Sequence, residues 1–236
     1  MSDSAVPNKA STIIVVRPDG NGGFEALMTR RQQQLQFLGG YLVFPGGAVE
    51  EQDCSDRMRS LCRGVSPAEA CEILGGELSV EAALGHWVSA IRELFEEAGL
   101  HYFVTAENNP PSAEVQRSLV HKRNSLCGGT IDLPELLESE GLFCDLGSLA
   151  YLFRRITPES YKVRFDTRFY LAALASHQTA LDCSEEVEQS IWLPPLVALE
   201  QSTAGLHQML PPTRIALQTL AEHGSWDRLC AAFGLR

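Results

Sequence analysis

The sequence lacks the long apolar runs and the basic balance that would assign it to a membrane or a nucleic acid. No apolar segment approaches the roughly twenty residues needed to cross a bilayer. The chain has 30 Asp and Glu against 19 Lys and Arg, a net charge of −11, whereas general nucleic-acid binding requires a basic patch. We therefore expect neither a membrane nor a nucleic acid as a partner.

Several common catalytic and metal-binding signatures are also missing. The sequence has no G-x-S-x-G nucleophile elbow, no P-loop and no H-E-x-x-H pair. Its seven cysteines include no C-x-x-C pair, which predicts reduced thiols. The first residues are polar and resemble no secretory signal. These features predict a cytoplasmic protein, and they leave its oligomeric state open, a homodimer included.

The most informative feature that is present is an acidic run at the end of an amphipathic segment. Apolar residues recur at helical period between Ser79 and Gly99, which predicts a helix with these two residues as its caps. Glu93, Glu96 and Glu97 then lie within an arc of roughly 100° on one face. Because like charges at this spacing repel, a bound Mg²⁺ or Mn²⁺ would explain them. A solvated acidic face is the alternative.

A second informative segment lies upstream, where an apolar run is broken by Pro-Gly-Gly. Residues 42–44 predict a short strand, and Pro45, Gly46 and Gly47 follow it. Glycine lets the backbone approach a ligand closely. An ordinary turn at the end of a strand is the alternative.

Together these segments resemble the signature of the Nudix hydrolases, G-x5-E-x7-R-E-U-x-E-E-x-G-U, in which U is aliphatic. The second half of the signature matches fully from Arg92 to Leu100, and Gly47 matches its first glycine. Asp53 stands where the family has Glu, so Glu50 and Glu51 are alternatives for that position.

The spacer inside the signature, residues 54–91, is about thirty residues longer than the seven of the family. Such an insertion resembles the branch that includes the coenzyme A diphosphatases. Their motif L-L-T-x-R-[SA]-x3-R-x3-G-x3-F-P-G-G fits the spacing from Leu27 to Gly47. Thr29, Arg31 and Gly40 match the motif, whereas Gln32 and Gln36 depart from it.

The resemblance implies an α/β fold, a Nudix-type α/β/α sandwich with a mixed sheet and extra helical insertions. We expect a single domain over residues 1–236, with a helical insertion at about 54–78 and additional helices at about 111–140. A helix is expected to start at Ser66-Pro67 within the first insertion. Residues 1–10 are expected to be a frayed tail. We also expect the first insertion to cover the mouth of the active site.

The resemblance further implies the roles of individual residues. Glu93, Glu96, Glu97 and the backbone carbonyl of Gly46 are the expected metal ligands, with Glu96 also counted among the catalytic residues.

Arg92 is expected to orient a carboxylate by a bidentate pair, with a surface ion pair as the alternative. Glu186 is the expected general base and Glu185 the second choice, with an ordinary acid of a surface loop as the alternative.

Arg31, Phe44 and Gly47 are the expected substrate-binding residues, with a solvent-exposed role as the alternative for Arg31. His86, inside the predicted helix, is expected to be a packing or surface residue.

The expected function is metal-dependent hydrolysis of a phosphoanhydride in a small molecule in which a nucleoside diphosphate is linked to another group. Coenzyme A or acyl-coenzyme A is the first hypothesis for the substrate. A Nudix pyrophosphatase acting on a nucleotide sugar, NADH or a dinucleotide is the second, favoured by the departures at Gln32 and Gln36. A binding protein that kept the fold without catalysis is the third, although such proteins usually lose acids of the signature helix.

Overall fold

The structure is a computed structural model that describes residues 6–36, 38–75 and 78–235. Its strands are β1 Asn8–Pro18, β2 Phe24–Arg31, β3 Leu42–Val43, β4 Gly46–Ala48, β5 Cys62–Arg63, β6 Phe103–Val104, β7 Phe143–Asp145, β8 Ala150–Ile156, β9 Phe165–Ala173 and β10 Val187–Leu193. Its α-helices are α1 Asp56–Ser60, α2 Pro67–Leu74, α3 Val80–Ala98, α4 Ala113–Cys127, α5 Leu133–Glu140, α6 Pro195–Thr203, α7 Pro211–Ala221 and α8 Trp226–Phe233. Short 3₁₀ turns occupy Gln52–Cys54 and Leu146–Ser148.

The main sheet is mixed. Within the described residues its strand order is β10-β2-β1-β9-β8, with β3 added beside β2 and β4 beside β1. The β1 and β9 strands pair in parallel, and the other pairs of this sheet are antiparallel. A smaller sheet has the order β5-β7-β6.

Helices cover both faces of the main sheet. Consecutive residues of β1 are fully buried and point to opposite faces, as expected for a central strand. Ile13 and Val15 pack with the apolar stripe of α3, whereas Ile14 and Val16 pack against α7 and α8. This arrangement confirms the predicted α/β/α sandwich with a mixed sheet.

The helix α3 has the ends that the sequence predicts. The Ser79 hydroxyl accepts a hydrogen bond from the backbone N–H of Ala82, and Gly99 adopts a left-handed conformation with φ of 69°. The Gly99 N–H donates to the Phe95 carbonyl oxygen. Glycine at this position avoids the penalty that a Cβ would bring.

The first insertion contains more structure than the sequence predicts. The expected helix is α2, with Pro67 in its first turn and a reciprocal capping box between Ser66 and Glu69. Helix α1 and strand β5 were not predicted. The α2 helix packs along α3. The expected end of the first insertion, beyond Gly75, lies outside the described residues.

The second insertion forms the two helices that the sequence predicts. Ser112 caps α4 and Asp132 caps α5, each with its side chain accepting a backbone N–H of the first turn. The α4 helix packs on α3, and α5 packs on α4 and on the 3₁₀ turn at Gln52–Cys54.

The expectation of a frayed tail to residue 10 was wrong. Strand β1 begins at Asn8, whose N–H donates to the Arg164 carbonyl oxygen, because the strand is held by β9 on one side and β4 on the other. Residues 1–5 lie outside the described part of the chain. No helix in the described ranges has the length and apolarity needed to cross a bilayer.

Candidate active site

The acidic face of α3 is directed at the strand β4. The Glu93 carboxylate lies so close to Gly47 that a Cβ at this position would overlap it. A Cβ at Gly46 would in turn overlap the backbone of Ser11 and Thr12 on β1. Glycine is therefore needed at Gly46, where the overlap is with backbone, whereas a Cβ at Gly47 would push the Glu93 carboxylate away from β4. The alternative of an acidic face in solvent was wrong.

Arg92 joins α3 to the segment that follows β4. Its Nε and Nη2 donate to the two Asp53 carboxylate oxygens at 2.9 and 3.0 Å, and Nη2 also donates to the Ala48 carbonyl oxygen at 2.8 Å. Both ionic side chains are almost completely buried. The bidentate pairing that the sequence predicts is thus present, and the alternative of a surface ion pair was wrong.

The same guanidinium holds two glutamates of α3. Arg92 Nη1 donates to Glu93 Oε1 at 2.9 Å and to Glu96 Oε2 at 3.2 Å. Of the three acids considered for the family's upstream Glu, Asp53 makes the bidentate contact, whereas Glu50 Oε1 lies 3.7 Å from Arg92 Nη1 and is half exposed. Asp53 therefore orients the arginine that orients the glutamates.

Burial disfavours the ionised form of the α3 carboxylates in the absence of a cation. It raises the pKa of Glu93 to about 7, against the attraction of Arg92, and it also raises the pKa of Glu96. Burial and the charge on Glu93 raise the pKa of Glu97 well above its usual range, against the opposing effects of Arg31 and the Gly46 N–H. A nearby cation would favour all three ionised forms.

The donor atoms fit a hard divalent cation. Glu97 Oε2 is buried without a hydrogen-bond partner among the described residues, and a buried unpaired carboxylate oxygen is costly. The described residues do not present three such side chains as a ready-made ligand set, since Arg92 draws Glu93 and Glu96 toward itself. Carboxylate oxygens in a small cluster are nevertheless the donors that Mg²⁺ and Mn²⁺ prefer.

Arg31 and Glu186 lie at the same site as Glu97. Arg31 Nη1 is 3.7 Å from Glu97 Oε1, and Arg31 Nη2 donates to Glu186 Oε2 at 3.1 Å. The antiparallel register of β2 and β10, in which Arg31 pairs with Val187, places these distant segments side by side. The Arg31 side chain is 17% exposed, so a position simply in solvent was wrong.

A cavity of about 210 Å³ opens over the acidic face of α3. Its described lining combines the carboxylates of α3, the end of α4 and the loop before β10: Glu93, Glu96, Glu97, Arg123, Asn124, Cys127, Gly128, Ser184, Glu185 and Glu186. It is smaller than the ~300–1,000 Å³ of sites that enclose drug-sized ligands. It is therefore too small to enclose a drug-sized molecule by itself.

The wall of this cavity corrects one expectation. No residue of the first insertion lines it among those described; the second insertion does, through the end of α4. Residues 54–75 instead pack along α3 and the 3₁₀ turn beside it. The first insertion therefore supports the acidic helix α3, and the second insertion lines the mouth of the cavity.

Arg123 is a residue of the site that the sequence did not reveal. Its Nε donates to the Phe95 carbonyl oxygen at 2.9 Å and its Nη2 donates to the Glu96 carbonyl oxygen. Cations at the carboxyl end of a helix satisfy its free carbonyl groups and its dipole. A lone arginine on an exposed helix carries no sequence signal for this contact.

Phe44 and His86 are packing residues. Phe44 is 4% exposed and belongs to the apolar cluster on the side of α7 and α8, so its side chain offers almost no surface to a substrate. The His86 Nδ1 lies 3.1 Å from the buried Ser11 hydroxyl, and burial lowers the pKa of His86 to about 3. The expected packing role of His86 agrees with these contacts.

Comparison with known proteins supports the resemblance to the Nudix hydrolases that the signature indicates. The chain is 28% identical over 215 residues to nudix hydrolase 7 of Caenorhabditis elegans, which covers 88% of the chain and 59% of that protein. It is 24% identical over 235 residues to acyl-coenzyme A diphosphatase NUDT19 of Xenopus laevis, with 87% and 62% covered. The chain thus spans about three fifths of the length of these relatives. No family model matches it.

Among solved structures, the crystal structure of a Nudix hydrolase from Alicyclobacillus acidocaldarius is similar over the whole fold. The two chains are 28% identical, their TM-score is 0.73, and the match covers 94% of this chain and 95% of the other. The fold and the acidic helix facing a glycine strand define a Nudix-type α/β/α protein. With these relatives, the chain is similar in sequence and in fold to Nudix hydrolases, and the resemblance drawn from its signature is confirmed.

Proposed function

We propose that the chain hydrolyses a phosphoanhydride bond of coenzyme A or an acyl-coenzyme A, with Mg²⁺ or Mn²⁺ as its cofactor. The observation that carries this proposal is the row of glutamates on α3, which faces Gly46 and Gly47 on one side and a cavity on the other. The similarity to the acyl-coenzyme A diphosphatase of Xenopus laevis supports the substrate class.

Glu93, Glu96 and Glu97 would hold the cation, with the Gly46 carbonyl as a further oxygen donor. The bound cation would neutralise phosphate charge and polarise the bond to be cleaved. Arg92 keeps two of these carboxylates in place from the buried side, which is the positioning role of a residue behind a metal ligand.

The open side of the cavity supplies the groups for the reaction itself. The Glu186 side chain is 60% exposed and accepts a hydrogen bond from Arg31. It can therefore accept a proton from an attacking water. Glu185 is the neighbouring alternative. Arg31 bridges Glu97 and Glu186 and is placed to exchange one of these partners for a substrate phosphate. Gly47 lets the substrate and Glu93 approach the β4 backbone.

Product identification tests this proposal. Incubation with coenzyme A and Mg²⁺ should yield 3′,5′-ADP and a phosphopantetheine in equal amounts by liquid chromatography and mass spectrometry. Chelation of the metal should abolish both products. Efficient turnover of a nucleotide sugar, NADH or a dinucleotide, with coenzyme A untouched, would support the second hypothesis, which the Gln32 and Gln36 departures favour. Metal binding without turnover of any substrate would indicate a binding protein.

A further inference from the structure

A second cavity adjoins the first at the carboxyl end of α3. Its volume is about 410 Å³, and it lies between α4 and the loop that follows β9. Arg123 and Asn124 line both cavities. The two spaces therefore form neighbouring compartments of one groove, separated by the last turns of α4.

The chemical character of the two compartments differs. Five carboxylates line the first among its described residues, whereas the described lining of the second contains none. Apolar groups from both walls face the second compartment, including Leu119 and Val120 of α4 and Leu181 of the opposite loop. An uncharged group of a ligand can lie there without covering and desolvating a carboxylate.

The few charged side chains in the second compartment indicate which part of a substrate it would bind. Arg123 is its one arginine among the described lining residues, and this guanidinium already donates to two carbonyl groups of α3. Among these residues a phosphorylated nucleotide would meet a single arginine, whose N–H groups are already directed at α3, whereas a neutral arm with amide and methyl groups would need no counter-ion.

We propose that this second compartment binds the uncharged arm of the substrate, on the side of the diphosphate away from the nucleotide. For coenzyme A this arm is the pantetheine, and the inference rests on the proposed function. The diphosphate then lies over the glutamates of α3, and the arm extends past Arg123 between α4 and the loop at Leu181.

The test fills the second compartment with a tryptophan side chain. It then measures inhibition by each of the two products, 4′-phosphopantetheine and 3′,5′-ADP. Val120 is 61% exposed on α4 and Thr179 is exposed on the opposite loop, so Val120→Trp and Thr179→Trp fill the space without disturbing the core. Ile73→Trp, at an exposed position of α2, is the matched control. Each filling variant should raise the inhibition constant of 4′-phosphopantetheine about tenfold and leave that of 3′,5′-ADP unchanged.

The reverse pattern, weaker inhibition by 3′,5′-ADP alone, would overturn the proposal by placing the nucleotide in this compartment. Unchanged constants for both halves would overturn it as well. If the wild-type protein does not turn over coenzyme A, the proposed function fails separately. Calorimetric titration of the Mg²⁺-loaded protein with 4′-phosphopantetheine then decides the inference: binding that Val120→Trp removes supports it, and absence of binding to the wild type contradicts it.

Discussion

The row of glutamates on α3 has two sides that differ in how their charges are satisfied. On the closed side, formed by Arg92, Asp53 and the Ala48 carbonyl, every charge has a close partner and almost no solvent contact. On the open side, formed by Arg31, Glu186 and the cavity, contacts are longer and the Glu186 carboxylate is 60% exposed.

This difference predicts that the closed side stabilises the fold and that the open side binds ligands. A fully paired buried network fixes the geometry of the carboxylates but cannot release a partner without a large penalty. Acids with raised pKa values and an unpaired oxygen, as Glu97 has, are ready to gain a ligand. We therefore expect substitutions on the closed side to lower stability and those on the open side to lower activity.

The largest effect is expected on the closed side. Arg92→Ala leaves the Asp53 carboxylate buried without its partner and should lower the free energy of unfolding by about 3–5 kcal/mol. Urea unfolding of the metal-free protein measures this loss. Because Asp53→Asn removes the stranded charge, the double variant should be less destabilised than the sum of the two single variants. Strict additivity would contradict the pairing.

The next largest effect is expected on the open side, in the catalytic efficiency. Glu97→Gln should reduce kcat/KM by at least about 10²-fold, since it removes a proposed metal ligand and not merely a residue that supports one. Its stability should not fall: a folded-state pKa raised above the unfolded value means that ionisation at neutral pH weakens the fold. Thermal unfolding in chelator and steady-state kinetics measure the two quantities. Glu81→Gln, exposed at the start of the same helix, should leave kcat/KM unchanged.

Arg31 sharpens the comparison because it touches both a predicted ligand and the predicted base. Arg31→Ala should lower kcat/KM by about 10-fold, mainly through KM, if a phosphate takes one of its two carboxylate contacts. The neighbouring Arg30 lies 3.0 Å from the His207 ring instead, so Arg30→Ala is the control and should leave KM unchanged. Equal effects of both substitutions would remove Arg31 from the substrate site.

The elements that the sequence predicted are those with strong local signals. The caps Ser79 and Gly99, the apolar stripe between them and the capping box at Ser66 determine their helices largely by themselves. Strand β5 and helix α1 are too short to show a period, and they form through contacts with residues distant in the sequence.

The residues of the candidate site also divide into those with a local sequence pattern and those without one. The glutamates and glycines are predictable because their spacing within the signature is local. The contact of Arg123 with the carbonyls of α3 and the juxtaposition of Arg31 with Glu186 join residues 27 to 155 positions apart. Neither contact has a local pattern, since sheet register and helix packing create them.

Arg123 is expected to show the smallest effect, because it acts on the open side through backbone carbonyls. Arg123→Met should raise the KM for coenzyme A about threefold and lower the free energy of unfolding by about 1 kcal/mol, the usual net value of lost hydrogen bonds that water can replace. Arg123→Lys should recover part of the KM because the charge remains near the helix end.

Arg117→Met on the exposed side of the same helix, where Arg117 bonds only the Ala113 carbonyl oxygen in the described contacts, provides the matched control. Steady-state kinetics and urea unfolding of the three variants separate the two roles of Arg123. A loss of stability with an unchanged KM would assign Arg123 to the closed, structural part of the network. A raised KM with little loss of stability would place it with Arg31 among the residues proposed to meet the substrate, because a group facing the cavity can affect binding without affecting folding.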